Sequence, residues 1–126
     1  MGLVRLRLLI AASCLAATLV GCGGSGGSNA QALEQCSVIA PTECSADAPA
    51  DYQAVAPIFA QRCATCHGRV KGGPWPLGTY EDVADWADVV RDELISCAMP
   101  PPDSGLGMTN AERLQILSWL RCGYPE

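Results

Sequence analysis

The spacing of apolar positions changes from segment to segment along the chain. Leu8 to Val20 is nearly continuous, broken only by Ser13, Cys14 and Thr18. From Gly23 to Ala50 large apolar side chains thin out, and only Leu33, Val38 and Ile39 stand out. Helical spacing begins at Asp51, with Val55, Ile58 and Phe59 as the buried candidates up to Arg62. Pro57 cannot sit deep in a regular helix, so the well-formed helix is expected to start around Ala56 to Pro57. Thr79-Tyr80-Glu81-Asp82 reads as a capping box with Asp in place of Glu. After it, Val83, Trp86, Ala87, Val90 and Leu94 share one helical face, and Asp82, Asp85, Asp88 and Asp92 lie on the opposite side. Thr109-Asn110-Ala111-Glu112 is a second capping box, opening a helix to about Cys122 with Gly123 as its stop. Ile116, Leu117 and Leu120 form its core stripe, widened by Leu114 and Trp119. No segment alternates as a strand does. The expectation is a small all-α domain over residues 51–126.

The apolar run near the start is too short and too weakly flanked for a spanning helix. With Arg5 and Arg7 before it, it reads as an export signal. Leu19-Val20-Gly21-Cys22 resembles the bacterial lipoprotein box. That resemblance implies a cleaved signal peptide over 1–21, a lipidated Cys22 and a membrane anchor without a spanning helix, because two acyl chains already hold stably. The protein is then expected on the periplasmic or cell-surface side of a bacterial membrane. Residues 22–50, opening with Gly23-Gly24-Ser25-Gly26-Gly27-Ser28, read as a flexible tether.

Composition narrows the function. Charged residues make up 17% of the 126, and the net charge is -5. Without residues 1–21, six basic side chains face thirteen acidic ones, a net charge of -7. So acidic a chain is poorly suited to nucleic acid. There is no phosphate-binding glycine loop, no dinucleotide fingerprint and no room for a doubly wound sheet.

The chemistry concentrates in Cys63-Ala64-Thr65-Cys66-His67. C-x-x-C-H is the attachment signature of c-type haem. Two cysteines at this spacing at a helix end can reach the two vinyl groups on one porphyrin edge, and the next residue can offer imidazole to the iron. His67 is the only histidine, so bis-histidine ligation within the chain is excluded. For the opposite face, Met99 stands before Pro100 and Pro101, 32 residues after His67. The prolines stiffen that loop. Met108, flanked by glycine before a helix cap, is the weaker candidate, and an open iron position is the alternative to both. Trp75, Trp86 and Trp119 are candidates to line the cofactor or the core. Leu77 and Pro74 are candidate walls, and Arg69 and Lys71 are candidate partners of a haem propionate or plain exposed charges.

With these residues in view, the stretch 51–126 resembles the class I monohaem cytochromes c. The likeness rests on the helix before CATCH, the single CATCH, the TYEDV helix start, the Met-Pro-Pro loop and the closing helix LQILSWLRCGYP. The resemblance implies a helical fold around one covalent haem c, with N- and C-terminal helices packed together. It implies a one-electron carrier, not an enzyme, with redox protein partners. The alternatives are a haem enzyme with an open, peroxidase-like iron and a non-catalytic haem subunit of a membrane redox complex. Cys97 and Cys122 depart from the simplest family pattern.

Four cysteines remain beyond lipid and haem: Cys36, Cys44, Cys97 and Cys122. Export favours disulfides, and four cysteines allow three pairings. The expected pairs are Cys36–Cys44 and Cys97–Cys122, the second pinning the Met99 loop to the last helix. A Cys₄ zinc site of Cys63, Cys66, Cys97 and Cys122 is the metal rival, weakened by the wide separation of its second pair. A thioredoxin-like CxxC lacks its βαβ setting. The acidic residues Glu81, Asp82, Asp85, Asp88, Asp92 and Glu93 are a solvated helix side or a docking face for a basic redox partner.

Overall fold

The computed structural model describes residues 35–69 and 74–126. The segment expected as a signal peptide, Cys22 with its expected lipidation, the glycine-serine run and Lys71 lie outside the described residues. Within them the chain is helical, with no strand. No described helix is long and apolar enough to cross a membrane.

The first helix, α1 (Tyr52–Ile58), begins earlier than Pro57 suggests. The Asp51 side chain accepts from the Ala54 N–H and caps it. Pro57 therefore lies inside α1, where its missing N–H cannot reach the Gln53 carbonyl. A π-helical turn, Phe59–Cys63, follows at once, and the Ala64 N–H donates to the Phe59 carbonyl five residues back. Such a turn inserts one extra residue into the helix and changes its register. It leads into the single turn α2 (Ala64–His67). Gly68 ends that turn at a place where a Cβ would lie 2.7 Å from the Ala64 carbonyl oxygen.

The stretch expected as one helix after Thr79 is two: α3 (Tyr80–Asp85) and α4 (Ala87–Ile95). The Thr79 hydroxyl accepts from the Asp82 N–H. Trp86 breaks the run with φ -118° and ψ 16°, which sets its ring edge-on to Trp75 at 6.0 Å between centroids. Both capping box and stop are present in α5 (Asn110–Arg121): Thr109 and Glu112 exchange side-chain and backbone hydrogen bonds, and Gly123 turns the chain out at φ +87°.

Helices α4 and α5 end alike. After α5, the Gly123 N–H donates to Leu120 and the Tyr124 N–H to Trp119, with the Tyr124 ring packed on Trp119. After α4, the Cys97 N–H donates to Leu94 and the Ala98 N–H to Glu93. Cys97 takes the left-handed position usually given to glycine, at φ +61°.

The core is built where α1 and α5 cross. Val55, Phe59, Ile116, Leu117 and Trp119 are almost fully enclosed there, with Val83 and Leu94 closing the layer from α3 and α4. Tyr52 packs on Phe59, Tyr80 and Trp119 with centroids 5.7 to 6.1 Å apart. Leu114, expected to widen the stripe, is exposed instead.

Two disulfides correct the expected pairing. Cys36 joins Cys97, and Cys44 joins Cys122. Each therefore ties the segment before α1 to the end of a helix, α4 or α5. Asn110 adds hydrogen bonds to both sides of this strap, accepting from the Ser37 N–H and donating to the Gln35 carbonyl. Val38 packs against the core. The segment 35–50 is tied to the helical unit, against the expectation of a free tether as far as residue 50. Covalent crosslinks, not buried area, hold this poorly apolar stretch.

Candidate functional site

The C-x-x-C-H turn, the segment from Trp75 to Leu77, α4 and the loop after it enclose one cleft. It holds about 770 Å³ of space between atoms, part of it open to solvent. Cys63, Cys66, His67 and Met99 all line it. The walls between them are apolar, with Trp75, Leu77, Trp86, Val90, Leu94 and Leu106. Arg62 and Glu93 are the charged side chains at its margin.

Each chemical group is set by local structure. Cys63 closes the π-helical turn and Cys66 lies in α2, and both are free thiols. Burial pushes the Cys63 thiol up to about 12, with the Arg113 charge acting the other way. His67 ends α2, and its Nδ1 lies 2.8 Å from the Pro74 carbonyl oxygen. A carbonyl only accepts, so Nδ1 carries the proton and Nε2 is left as the basic, ligating nitrogen. The Leu77 N–H donates back to the His67 carbonyl at 2.8 Å, which folds the wall onto the turn.

Met99 follows the left-handed Cys97 and sits before a cis bond to Pro100. The Glu93 carbonyl accepts from the Ala98 and Met99 N–H groups at 3.1 and 3.4 Å. Arg113 Nη1 donates to the Met99 carbonyl at 2.6 Å. Met108 lies elsewhere, buried in the core.

The donor set suits a covalently held iron porphyrin: two reduced thiols three residues apart, one imidazole with its tautomer assigned, one thioether and apolar aromatic walls around the space between them. It does not suit the zinc alternative, because Cys97 and Cys122 are consumed by disulfides. Among the described residues no group of three or more His, Cys, Asp or Glu side chains gathers as a metal cage.

The structure places three further sequence candidates, Trp119, Asp82 and Arg69. Trp119 is wholly buried in the core, while Trp75 and Trp86 line the cleft. Asp82 is not on a solvated face: it is 3% exposed and paired with Arg69, whose Nε also donates to Asp82 Oδ2 at 3.3 Å. Burial works to raise the Asp82 carboxyl, but the Arg69 guanidinium and the Thr79 and Gly78 donors outweigh it and hold the group below its usual range. That pair engages Arg69, a candidate propionate partner. Asp85, Asp88 and Asp92 are exposed, and Arg91 bridges the last two.

Arg113 was missed altogether. A charged residue four places after a helix N-cap gives no hint of burial, and only the packing of α4 on α5 encloses it. No family model, curated protein or solved structure matches this chain.

Proposed function

We propose that this protein is an exported, lipid-anchored monohaem c-type cytochrome that carries one electron at a time and catalyses no reaction of its own. The observation that supports this best is the convergence of Cys63, Cys66, His67 and Met99, from two segments far apart in sequence, on one apolar cleft. When bound, the haem would supply an iron that cycles between ferrous and ferric states.

The chain's own residues have distinct tasks. Cys63 and Cys66 provide the thiols for two thioether links, so the cofactor could not dissociate. Pro74 fixes the His67 tautomer and thereby the nitrogen offered to the metal. Met99 offers its sulfur from a loop whose backbone is held at both its N–H and its carbonyl. With His67 and Met99 each held by the backbone around them, a bound haem would need little rearrangement between charge states, which would favour fast transfer. The apolar walls would reduce the water around a bound haem, and ligation by methionine with histidine would raise its reduction potential. The lipid at Cys22 would keep the carrier beside membrane-bound redox partners.

The test is maturation of the full chain with a functioning cytochrome-assembly system. The expected product is red, gains the mass of one haem and gives a pyridine haemochrome spectrum of the two-thioether type. Its ferric form should resist cyanide at neutral pH, as a methionine-capped iron does. A colourless chain of unmodified mass overturns the reading; rapid cyanide binding points to the open-iron enzyme instead.

A further inference from the structure

Arg113 is a buried cation without a carboxylate. It is 4% exposed, and its guanidinium makes no ion pair among the described residues. Its Nη1 donates to the Met99 carbonyl at 2.6 Å and reaches the Leu94 carbonyl at 3.5 Å. Its Nε has no hydrogen-bond partner among the described residues. Enclosing a guanidinium in this way is costly unless its surroundings return the lost hydration. The carbonyl of Leu94 does so in part, because it belongs to the last turn of α4, the negative end of that helix. The second acceptor is the backbone of the one methionine that lines the cleft.

We infer that Arg113 is the positioning residue of the Met99 loop: it clamps that loop to the end of α4 and sets a fixed positive charge behind it. The inference rests on the proposed haem function and adds to it a residue outside the cleft lining. Two physical consequences follow. The Nη1 bond holds the Met99 carbonyl against the Leu94 carbonyl at the end of α4, so sulfur is presented from a fixed backbone. The uncompensated charge favours the less positive, reduced state of a metal nearby.

The experiment compares Arg113→Lys, which keeps the charge but has a shorter side chain without the Nη1 donor, with Arg113→Gln, which keeps a donor and loses the charge. Both are made in the full chain matured with haem. In R113K the methionine-to-iron charge-transfer band should vanish at a pH at least about one unit lower than in the parent. In R113Q the reduction potential should fall. A residue that only stabilised the fold would lower the melting temperature and leave both readings in place. An unchanged band midpoint in R113K overturns the clamp, and an unchanged potential in a folded R113Q overturns the charge effect. If R113Q does not fold, the potential of Arg113→Met at matched helical content decides the second point, and failure of both neutral variants to fold while R113K folds makes the charge structural and overturns the charge effect.

Amide hydrogen exchange at Met99, read on the full chain as isolated, separates this proposal from the one beneath it. Exchange at least about tenfold faster in R113K is expected whether or not the chain carries haem. A colourless parent with that acceleration loses the haem reading and keeps the clamp. A haem-loaded parent without it loses the clamp alone.

Discussion

Arg62 and Glu112 join the residue immediately before the C-x-x-C-H turn to the first turn of the last helix. Arg62 donates through Nε and Nη2 to one oxygen of Glu112, at 3.1 and 2.9 Å, while the other oxygen accepts from the Thr109 N–H at 2.8 Å. One carboxylate thus completes the α5 cap and fastens the cleft margin to it. Glu112→Gln should weaken both, at a cost of about 1 kcal/mol. Thermal unfolding should shift down by roughly 4–8 °C for a unit of this size. An unchanged melting temperature would show that the pair is only a surface ornament.

Acid should destabilise the protein through two carboxylates. Burial raises Glu112, but the Thr109 N–H and the Arg62 guanidinium outweigh it, and the group is held below its usual range, as Asp82 is beside Arg69. A depressed folded pKa means stability that is fully present above the unfolded values of about 3.9 and 4.3 and is lost as pH falls through the lower folded ones. Denaturant midpoints measured from pH 6 down to pH 2 should fall in that window. Asp82→Asn should flatten the profile and lower the plateau by about 1 kcal/mol, since water screens the exposed Arg69.

The two disulfides should have separable effects. Each closes a loop of more than sixty residues, worth about 4 kcal/mol in the chain-entropy model. Only Cys36–Cys97 sits two residues from Met99. Losing it through Cys36→Ser with Cys97→Ser should move loss of the methionine-to-iron band to lower pH. Losing Cys44–Cys122 should lower stability and leave the band in place. Cys36→Ser with Cys97→Gly should recover about 1 kcal/mol over the serine pair, because glycine takes the left-handed position without strain. Equal melting temperatures for the two variants would contradict that account.

The methionines should separate as well. Met99→Ala should retain covalent haem, lose the charge-transfer band and admit cyanide. Met108→Ala should keep the band and lose about 2–5 kcal/mol of stability, as a truncation in an enclosed core does. Interchange of these outcomes would assign the axial sulfur to Met108.

Features set by neighbours three or four residues away could be read directly from the chain. The Thr109–Glu112 box, the Gly123 stop and the face of Val83, Val90 and Leu94 are of this kind. The early start of α1 was hidden because Pro57 argued against it, while Asp51, a capping residue in plain view, argued for it. The break at Trp86 was hidden because a helical face tolerates tryptophan, and the ring it meets, Trp75, comes from another segment. The end of α4 was hidden because cysteine stands where glycine usually marks the turn.

By itself the sequence settled that the described chain is helical, where α5 begins and stops, and that two thiols and an imidazole share one turn, because all of these depend on contacts within a few residues. Tertiary structure decided the rest: that Met99 and not Met108 lines the cleft with them, that Cys36 reaches Cys97 and Cys44 reaches Cys122, and that Asp82 and Arg113 are enclosed. Those outcomes depend on which helix faces meet in space. A sulfur finds the sulfur that packing brings within bonding distance, and a charge stays buried only where another element supplies the acceptors that replace water.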